Sequence, residues 1–271
     1  MKTSHSTTLA ILVIFTLVTF FANTGALPTD IMEERNVVTA REMVSDGNWL
    51  VPTMNGQLRL EKPPLPTWVA GAIEAVCPNN LGAQRLAAGA MGCLWTWFLF
   101  LTARYIARRT DYAIIATVVF LTCYNTVLMG RSATWDIYCH ALMMGAIYLL
   151  LRALNEERDY RWQLPLAGLF LGLSWLSKGP VSFYTLLLPF LLSIVTHARR
   201  GRGGGRMVVR LSADNAWRRG DGGDGQRNWG VDQPQRSPLV VLLAFLLGDG
   251  RLVASRLGLV GAHLLEAPHR H

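Results

Sequence analysis

Acidic residues cluster near the start of the chain, just after its first hydrophobic run. Asp30, Glu33 and Glu34 follow the i, i+3, i+4 spacing that places side chains on one side of a helix. A carboxylate held there can take the proton of an attacking hydroxyl group and act as a general base. The same spacing describes a capping box, in which an N-cap aspartate precedes a glutamate by three residues. Asp30 and Glu33 are therefore candidate catalytic residues or helix-capping residues.

Two of the three lysines stand in short motifs that contain proline. Lys62 lies in EKPPL at 61–65, shortly after the turn signal Asn55-Gly56, and Lys178 lies in SKGP at 177–180. A fixed cation can stabilise the charge that develops on a leaving phosphate. A rigid surface turn at 61–65 and a snorkelling lysine at the end of a helix are the alternative interpretations. Asp136 is either a further catalytic carboxylate or a helix cap.

Long apolar segments must position these residues. The chain is 51% hydrophobic and 16% charged, whereas a soluble domain carries about 25% charged residues. The apolar runs approach the roughly 20 residues that cross a bilayer as a helix. They lie at 9–22, 86–106, 112–129, 137–151, 164–176 and 181–196. We therefore predict an all-α polytopic membrane protein with about six transmembrane helices.

Arginine-rich turns alternate with turns that hold few arginines. The positive-inside rule places the arginine-rich turns in the cytoplasm, which leaves segments 27–85, 130–136 and 177–180 outside. All candidate site residues lie in these outside segments. The net charge of +8 does not indicate nucleic-acid binding, because most of the excess is arginine after residue 196.

The segments predict four regions along the chain. Residues 1–26 form a first transmembrane helix or signal anchor, with a cleaved secretory signal as the alternative. Residues 27–85 form a large outside loop that contains an amphipathic helix, and residues 86–198 hold five further transmembrane helices. Residues 199–271 are an arginine- and glycine-rich tail, which is either genuinely disordered or the product of a frame-shifted or truncated gene.

Several ordered motifs resemble a known family. They are AREM at 40–43, GNWLVP at 47–52, EKPPL at 61–65, Arg85-Leu86, the 131–136 turn and SKGP at 177–180. Together they resemble the aminoarabinose transferase and protein O-mannosyltransferase superfamily, which consists of polytopic glycosyltransferases of the C type. The resemblance covers roughly residues 9–196. The tail does not share it, and members of the superfamily are usually about twice this length.

The resemblance implies a multi-pass protein of the bacterial inner membrane whose active side is periplasmic. The donor would be a polyprenyl-phosphate-linked sugar, the acceptor a lipid A-like lipid or a protein, and the surroundings membrane lipids. The implied catalytic residues are Glu33, Asp30 and Asp136. The implied substrate-binding residues are Lys62, Arg131, Lys178 and Arg85. The resemblance assigns no definite cofactor, but relatives can hold a divalent metal near the loop acids, for which Glu61 is the candidate ligand.

One position departs from the family pattern. In an ungapped register anchored on Arg35, the Asp-Glu pair of the family falls on Met32 and Glu33. The family aspartate is thus missing at this place, and Asp30, two residues earlier, is a candidate substitute. The register favours Glu33 as the base.

Two other functions remain as alternatives. A transporter or flippase would place ionisable residues inside its spans, and the apolar runs offer mainly His140. An inactive truncated remnant is the other alternative, which follows from the tail. Assays of transport and of sugar transfer on membranes discriminate among the three.

Overall fold

The structure is a computed structural model that describes residues 5–155 and 160–200, and most of these residues are helical. The predicted tail lies outside the described residues from residue 201 onward. A π-helical turn, Phe183–Leu187, comes directly before the last described helix. The helices are α1 (His5–Phe21), α2 (Ile31–Ser45), α3 (Leu65–Val76), α4 (Leu81–Ala107), α5 (Thr110–Leu121), α6 (Tyr124–Arg131), α7 (Trp135–Asn155), α8 (Tyr160–Lys178) and α9 (Leu188–Arg200).

A small antiparallel hairpin corrects the all-α expectation. Its strands are β1 (Thr53–Met54) and β2 (Gln57–Leu58). Asn55 and Gly56 form the turn with φ angles of 55° and 72°. A two-residue turn of this type requires positive φ at both positions, and Asn-Gly adopts them readily. The sequence therefore predicted the turn, but strands of two residues are too short to leave a pattern.

Two helices are long and apolar enough to cross a membrane by themselves, Leu81–Ala107 and Trp135–Asn155. A third candidate span is the pair α5 and α6, which is bent by 68° at its break. The apolar run at 112–129 thus folds as two helices rather than one. The described part of the chain holds two or three candidate spans by length and composition, and the total of about six stays a prediction.

Small residues let α1 pack closely against its neighbours. The ring of Phe20 is fully buried and faces Gly92 of α4 and Gly130 of α6. A Cβ atom on Gly92 would lie 2.8 Å from that ring, and one on Gly130 would lie closer still. Glycine at such contacts permits a close approach of membrane helices.

The most buried helix is α7, and α8 is its main neighbour. The Ser174 hydroxyl group donates to the Cys139 carbonyl oxygen over 2.8 Å and shares a hydrogen bond of 2.7 Å with Ser182. This packing is antiparallel, so the start of α7 lies beside the end of α8.

Residues 22–80 connect α1 to α4, and we call them the loop segment. They contain α2, the hairpin and α3. The predicted amphipathic helix corresponds to α2, whereas α3 was not predicted. Because α4 begins at Leu81, the loop segment ends five residues before the predicted boundary, and Arg85 lies in a helix.

Candidate active site

Glu33 and Arg85 form a fully buried ion pair between α2 and α4. Nε of Arg85 donates to Oε1 of Glu33 over 2.8 Å, and Nη2 donates to Oε2 over 2.7 Å. The side chains of the pair are 1% and 0% exposed, respectively. Oε1 of Glu33 also accepts the backbone N–H of Ala133 over 2.8 Å. Nη1 of Arg85 donates to the carbonyl oxygens of Thr24 and Leu27 over 2.7 and 2.9 Å.

This buried pair (Glu33 and Arg85) holds together the start of α2, the first turns of α4 and the 132–134 turn before α7. A bidentate arginine–carboxylate contact is strong and geometrically specific. It is stable in the interior only when the remaining polar atoms are also bonded, as they are here. The arrangement favours a positioning role over direct contact with a substrate. Glu33 as base and Arg85 as a substrate ligand stay predictions.

Asp30 is the N-cap of α2. Its backbone is extended, and its side chain accepts from the backbone N–H of Met32 over 3.4 Å, which is too long for a strong hydrogen bond. Glu33 does not complete a capping box, because its carboxylate bonds to Arg85 instead. Glu34 accepts the hydroxyl group of Thr29. Asp30 is exposed, and among the described residues the Met32 N–H is the donor to its carboxylate, so most of its lone pairs can accept from another donor.

Asp136 and Lys178 form a second ion pair, which we call the half-exposed pair. Asp136 lies in the first turn of α7 and Lys178 ends α8. Nζ of Lys178 donates to Oδ1 of Asp136, and the side chains of Lys178 and Asp136 are 22% and 30% exposed. Within the described chain, the second carboxylate oxygen of Asp136 accepts no hydrogen bond. This pair therefore combines a carboxylate and a cation that a substrate can reach.

The loop segment lies directly against the turn that leads to the half-exposed pair. The side-chain amide of Asn36 donates to the carbonyl oxygen of Ala133 over 3.0 Å, while Glu33 accepts the N–H of the same residue. Both backbone groups of Ala133 are thus bound by α2. The start of α2 therefore fixes the position of the backbone three residues before Asp136.

A group of potential metal ligands lies in the first turns of α7. One ligand atom each of Asp136, Cys139 and His140 lies within 4.8 Å of the others, and this donor set is one that zinc accepts. The group fits a cation poorly, however, because the ammonium group of Lys178 already binds the Asp136 carboxylate. Nδ1 of His140 lies 2.7 Å from the Asp136 carbonyl oxygen. Glu61 is exposed and does not belong to this group, so its metal role stays a prediction.

Arg131 binds the end of α1. Its Nε donates to the Thr19 carbonyl oxygen over 2.8 Å, and its Nη2 donates to the Ala22 carbonyl oxygen. A cation at a helix C-terminus satisfies carbonyl groups that lack partners and interacts favourably with the helix dipole. These contacts hold α6 against α1, and a substrate-binding role for Arg131 stays a prediction.

Lys62 lies in a stretch that is fastened to α2 on both sides. Before it, Nη1 of Arg59 donates to the Arg35 carbonyl oxygen over 2.6 Å. After it, the Thr67 hydroxyl group donates to the side-chain carbonyl of Asn36 over 2.9 Å. Lys62 itself is half-buried and forms no hydrogen bond or ion pair with any residue that the structure describes. A half-buried cation without an anionic partner among the described residues is a favourable site for a phosphate group.

The sequence profile of the dolichyl-phosphate-mannose-protein mannosyltransferase family matches residues 61–203, which is more than half of the 271-residue chain. The chain belongs to this family. The match begins at the EKPPL motif and includes both residues of the half-exposed pair. It confirms the superfamily that the ordered motifs indicated.

Several curated relatives of this chain are named as arabinosyl transferases. Undecaprenyl phosphate-alpha-4-amino-4-deoxy-L-arabinose arabinosyl transferase 1 of Proteus mirabilis is 26% identical over 169 residues, which are 62% of this chain and 31% of that protein. The corresponding transferase of Shewanella sediminis is 28% identical over 168 residues, covering 60% of this chain and 29% of that protein. The chain thus spans about a third of the length of these relatives.

Solved structures share the fold. The crystal structure of ArnT from Cupriavidus metallidurans bound to undecaprenyl phosphate has a TM-score of 0.63 and 20% identity. The similarity covers 93% of this chain and 42% of ArnT. The apo structure of the same ArnT has a TM-score of 0.60 at 19% identity, with 99% of this chain and 46% of ArnT covered. The predicted fold, a helical membrane protein of the ArnT type, is confirmed at this level.

Glu42 has a structural role that the sequence did not reveal, although the residue lies in the AREM motif. Its carboxylate accepts the Thr53 hydroxyl group over 2.8 Å, the Asn55 backbone N–H, and the Gly56 backbone N–H over 3.3 Å. The pKa of Glu42 is lowered, chiefly by the bond from Thr53 and then, against some desolvation, by the two backbone bonds. Glu42 therefore fixes the hairpin turn on α2.

Arg59 is the second residue whose role the sequence did not reveal. It follows β2 and is 7% exposed. Its Nη1 donates to the Thr39 hydroxyl group over 2.7 Å as well as to the Arg35 carbonyl oxygen, and its guanidinium carbon lies 5.1 Å from the ring centre of Trp135. Nothing in the sequence distinguishes this arginine from a surface arginine, because burial depends on how the hairpin docks.

Proposed function

We propose that this chain acts as a membrane glycosyltransferase, which moves a sugar from a polyprenyl-phosphate donor to a lipid A-like lipid or a protein. Membership of the mannosyltransferase family supports this function, as do the relatives, whose names describe arabinosyl transfer that involves undecaprenyl phosphate. The function requires membrane lipids as surroundings and no nucleic acid.

The position of Lys62 is the main observation that supports the proposal. This cation is half-buried in a stretch fastened to α2 at Arg59 and at Thr67, and it has no anionic partner among the described residues. A pre-positioned charge stabilises a developing phosphate charge without reorganisation at the moment of reaction. Lys178 supplies a second cation at the end of α8, beside Asp136.

The reaction requires a carboxylate that can take one proton. The acceptor hydroxyl group loses its proton to this carboxylate, its oxygen bonds to the anomeric carbon of the sugar, and the polyprenyl phosphate leaves with the electron pair of the broken bond. Asp136 and Asp30 are the better placed bases, because each keeps carboxylate lone pairs free of other donors. Glu33 has both oxygens occupied and positions the loop segment.

The half-exposed pair and the loop segment face the periplasm in this proposal, and the protein lies in the bacterial inner membrane. The positive-inside rule supports this orientation. Single cysteines at Asn55 and Arg108, in a background without the four native cysteines, test it with a membrane-impermeant thiol reagent in intact spheroplasts. We expect labelling at Asn55→Cys alone. Labelling at Arg108→Cys alone would show that the protein has the opposite orientation.

Replacement of Lys62 tests the function itself. We expect Lys62→Ala to lower sugar transfer by about 100-fold, since one lost contact to a developing charge contributes on the order of 3 kcal/mol. Transfer is measured with the full-length protein and a labelled polyprenyl-phosphate sugar. Arg41→Ala is the matched control, because it removes a cation of the same loop segment whose side chain is 46% exposed and pairs with Glu74. Unchanged transfer in Lys62→Ala contradicts the role of Lys62.

A further inference from the structure

Arg59 is a buried cation without an acidic partner among the described residues. Within the same residues, its hydrogen-bond acceptors are the Arg35 carbonyl oxygen and the Thr39 hydroxyl group, both reached by Nη1. Neither a hydrogen bond nor an ion pair joins it to a carboxylate in the part of the chain that the structure describes. Burial lowers the pKa of the Arg59 guanidinium, and the charge of Glu61 opposes this only in part. An uncompensated cation in such a place is energetically unfavourable.

Arg85 shows what a satisfied buried arginine looks like in the same molecule. Its Nε, Nη1 and Nη2 all donate to protein oxygen atoms, and two of the four bonds go to a carboxylate. In Arg59, Nε and Nη2 donate to no residue that the structure describes. Neither atom is fully buried, so a ligand can reach both. These two nitrogens form the planar fork that binds a carboxylate or a phosphate.

Trp135 supplies a second, independent sign that an acceptor belongs here. The side chain lies under the Arg59 guanidinium group at 5.1 Å and is 3% exposed. Its indole Nε1 is buried without a hydrogen-bond partner. A buried donor of this kind normally has an acceptor. The Nε and Nη2 atoms of Arg59 and the Nε1 atom of Trp135 are therefore neighbouring donors that lack an acceptor among the described residues.

We propose that Arg59 and Trp135 form an anion subsite that binds phosphate oxygen atoms. The subsite lies next to the reacting groups, since Trp135 directly precedes Asp136 and Arg59 stands three residues before Lys62. It rests on the proposed function in one respect: the phosphate is taken to be that of a lipid-linked substrate. Arg59 binds the phosphate through its fork, the Trp135 ring stacks on the guanidinium group, and the indole N–H of Trp135 donates to a phosphate oxygen atom.

Binding of undecaprenyl phosphate to the purified full-length protein in detergent tests the subsite. We expect Arg59→Gln to weaken binding by about 10- to 100-fold, the range for a lost charge-assisted hydrogen bond. Arg59→Lys keeps the charge without the fork, so its loss should be smaller but measurable. Arg41→Gln is the matched control and should bind like the unaltered protein.

Two further variants keep the test decisive if Arg59→Gln does not fold. Trp135→Phe keeps an aromatic ring beside Arg59 and removes the unpartnered N–H group, so the protein, once its melting temperature shows that it is folded, should bind undecaprenyl phosphate more weakly. Arg59→Lys, whose folding is checked by its melting temperature, then shows whether binding needs the planar fork of the guanidinium group. Unaltered affinity in both folded variants overturns the proposal.

Failure of the subsite and failure of the proposed function give different results. If Lys62→Ala loses undecaprenyl phosphate and Arg59→Gln keeps it, the function stands and the subsite is wrong. If the unaltered protein binds no undecaprenyl phosphate, the function fails, and inorganic phosphate becomes the probe. Inorganic phosphate binding that is lost in Arg59→Gln then supports the subsite, and binding that is absent or independent of Arg59 overturns it.

Discussion

Two ion pairs of similar chemistry have opposite surroundings in this protein. The buried pair, Glu33 and Arg85, is at most 1% exposed, and every charged oxygen and nitrogen atom in it has a bonding partner. The half-exposed pair, Asp136 and Lys178, is 22–30% exposed, and one of its carboxylate oxygens has no donor in the part of the chain that the structure describes. Both pairs border the same short turn at 132–134, so the two environments are only a few residues apart.

The difference favours a structural role for the buried pair and is consistent with the chemical role proposed for the half-exposed pair. A buried ion pair whose atoms are all bonded cannot accept a substrate proton without losing contacts that hold the loop segment in place. A partly exposed pair contributes little to stability, but its carboxylate can be reached. The family register favoured Glu33 as the base, whereas the surroundings favour Asp136, with Asp30 as the second candidate.

The largest expected effect comes from breaking the buried pair. Arg85→Met leaves the Glu33 carboxylate buried without its cation, which should reduce the free energy of unfolding by about 3–5 kcal/mol. The measurement is thermal unfolding in detergent together with the yield of folded protein. The double variant Glu33→Met with Arg85→Met is the control, since it removes both charges and should regain most of the stability. A single variant that melts like the unaltered protein would contradict the structural role.

The half-exposed pair should behave in the opposite way. Asp136→Asn keeps the shape and an acceptor for Lys178 but removes the basicity, so sugar transfer should fall by roughly 10²–10⁴-fold while the melting temperature stays nearly constant. Asp30→Asn tests the second candidate base, because asparagine caps a helix nearly as well as aspartate but lacks the basicity. Severe loss in Asp30→Asn beside normal transfer in Asp136→Asn would assign the base to Asp30.

Glu42 adds a third case to the comparison, because its carboxylate bonds to the hairpin rather than to a cation. Glu42→Gln should reduce the free energy of unfolding by about 1 kcal/mol at neutral pH, because a neutral acceptor replaces a charged one. The pKa of Glu42 is lowered in the folded protein, so its contribution is present above the unfolded pKa and disappears as the pH falls through the folded pKa. Melting curves of both proteins should therefore converge in acid. A difference that persists or grows in acid would exclude this linkage.

The sequence predicted the elements whose signals are local. Hydrophobic runs reveal apolar helices because each helix satisfies its own backbone, and the amphipathic helix predicted in the outside loop corresponds to α2. The sequence also singled out Asp136 and Lys178, which the structure joins, and the ordered motifs indicated the correct family. The 112–129 run was predicted as one helix, because its break at 122–123 contains no proline or glycine, the residues that normally indicate a helix break.

Tertiary structure alone decided which charged residues are buried, bonded or free. Glu33 and Arg85 are 52 residues apart, and Arg59 reaches Trp135 only because the hairpin docks on α2. The sequence by itself determined a membrane protein of this family and the residue types available for chemistry. It did not determine the role of each charge, because that role depends on desolvation and on partners brought together from distant parts of the chain.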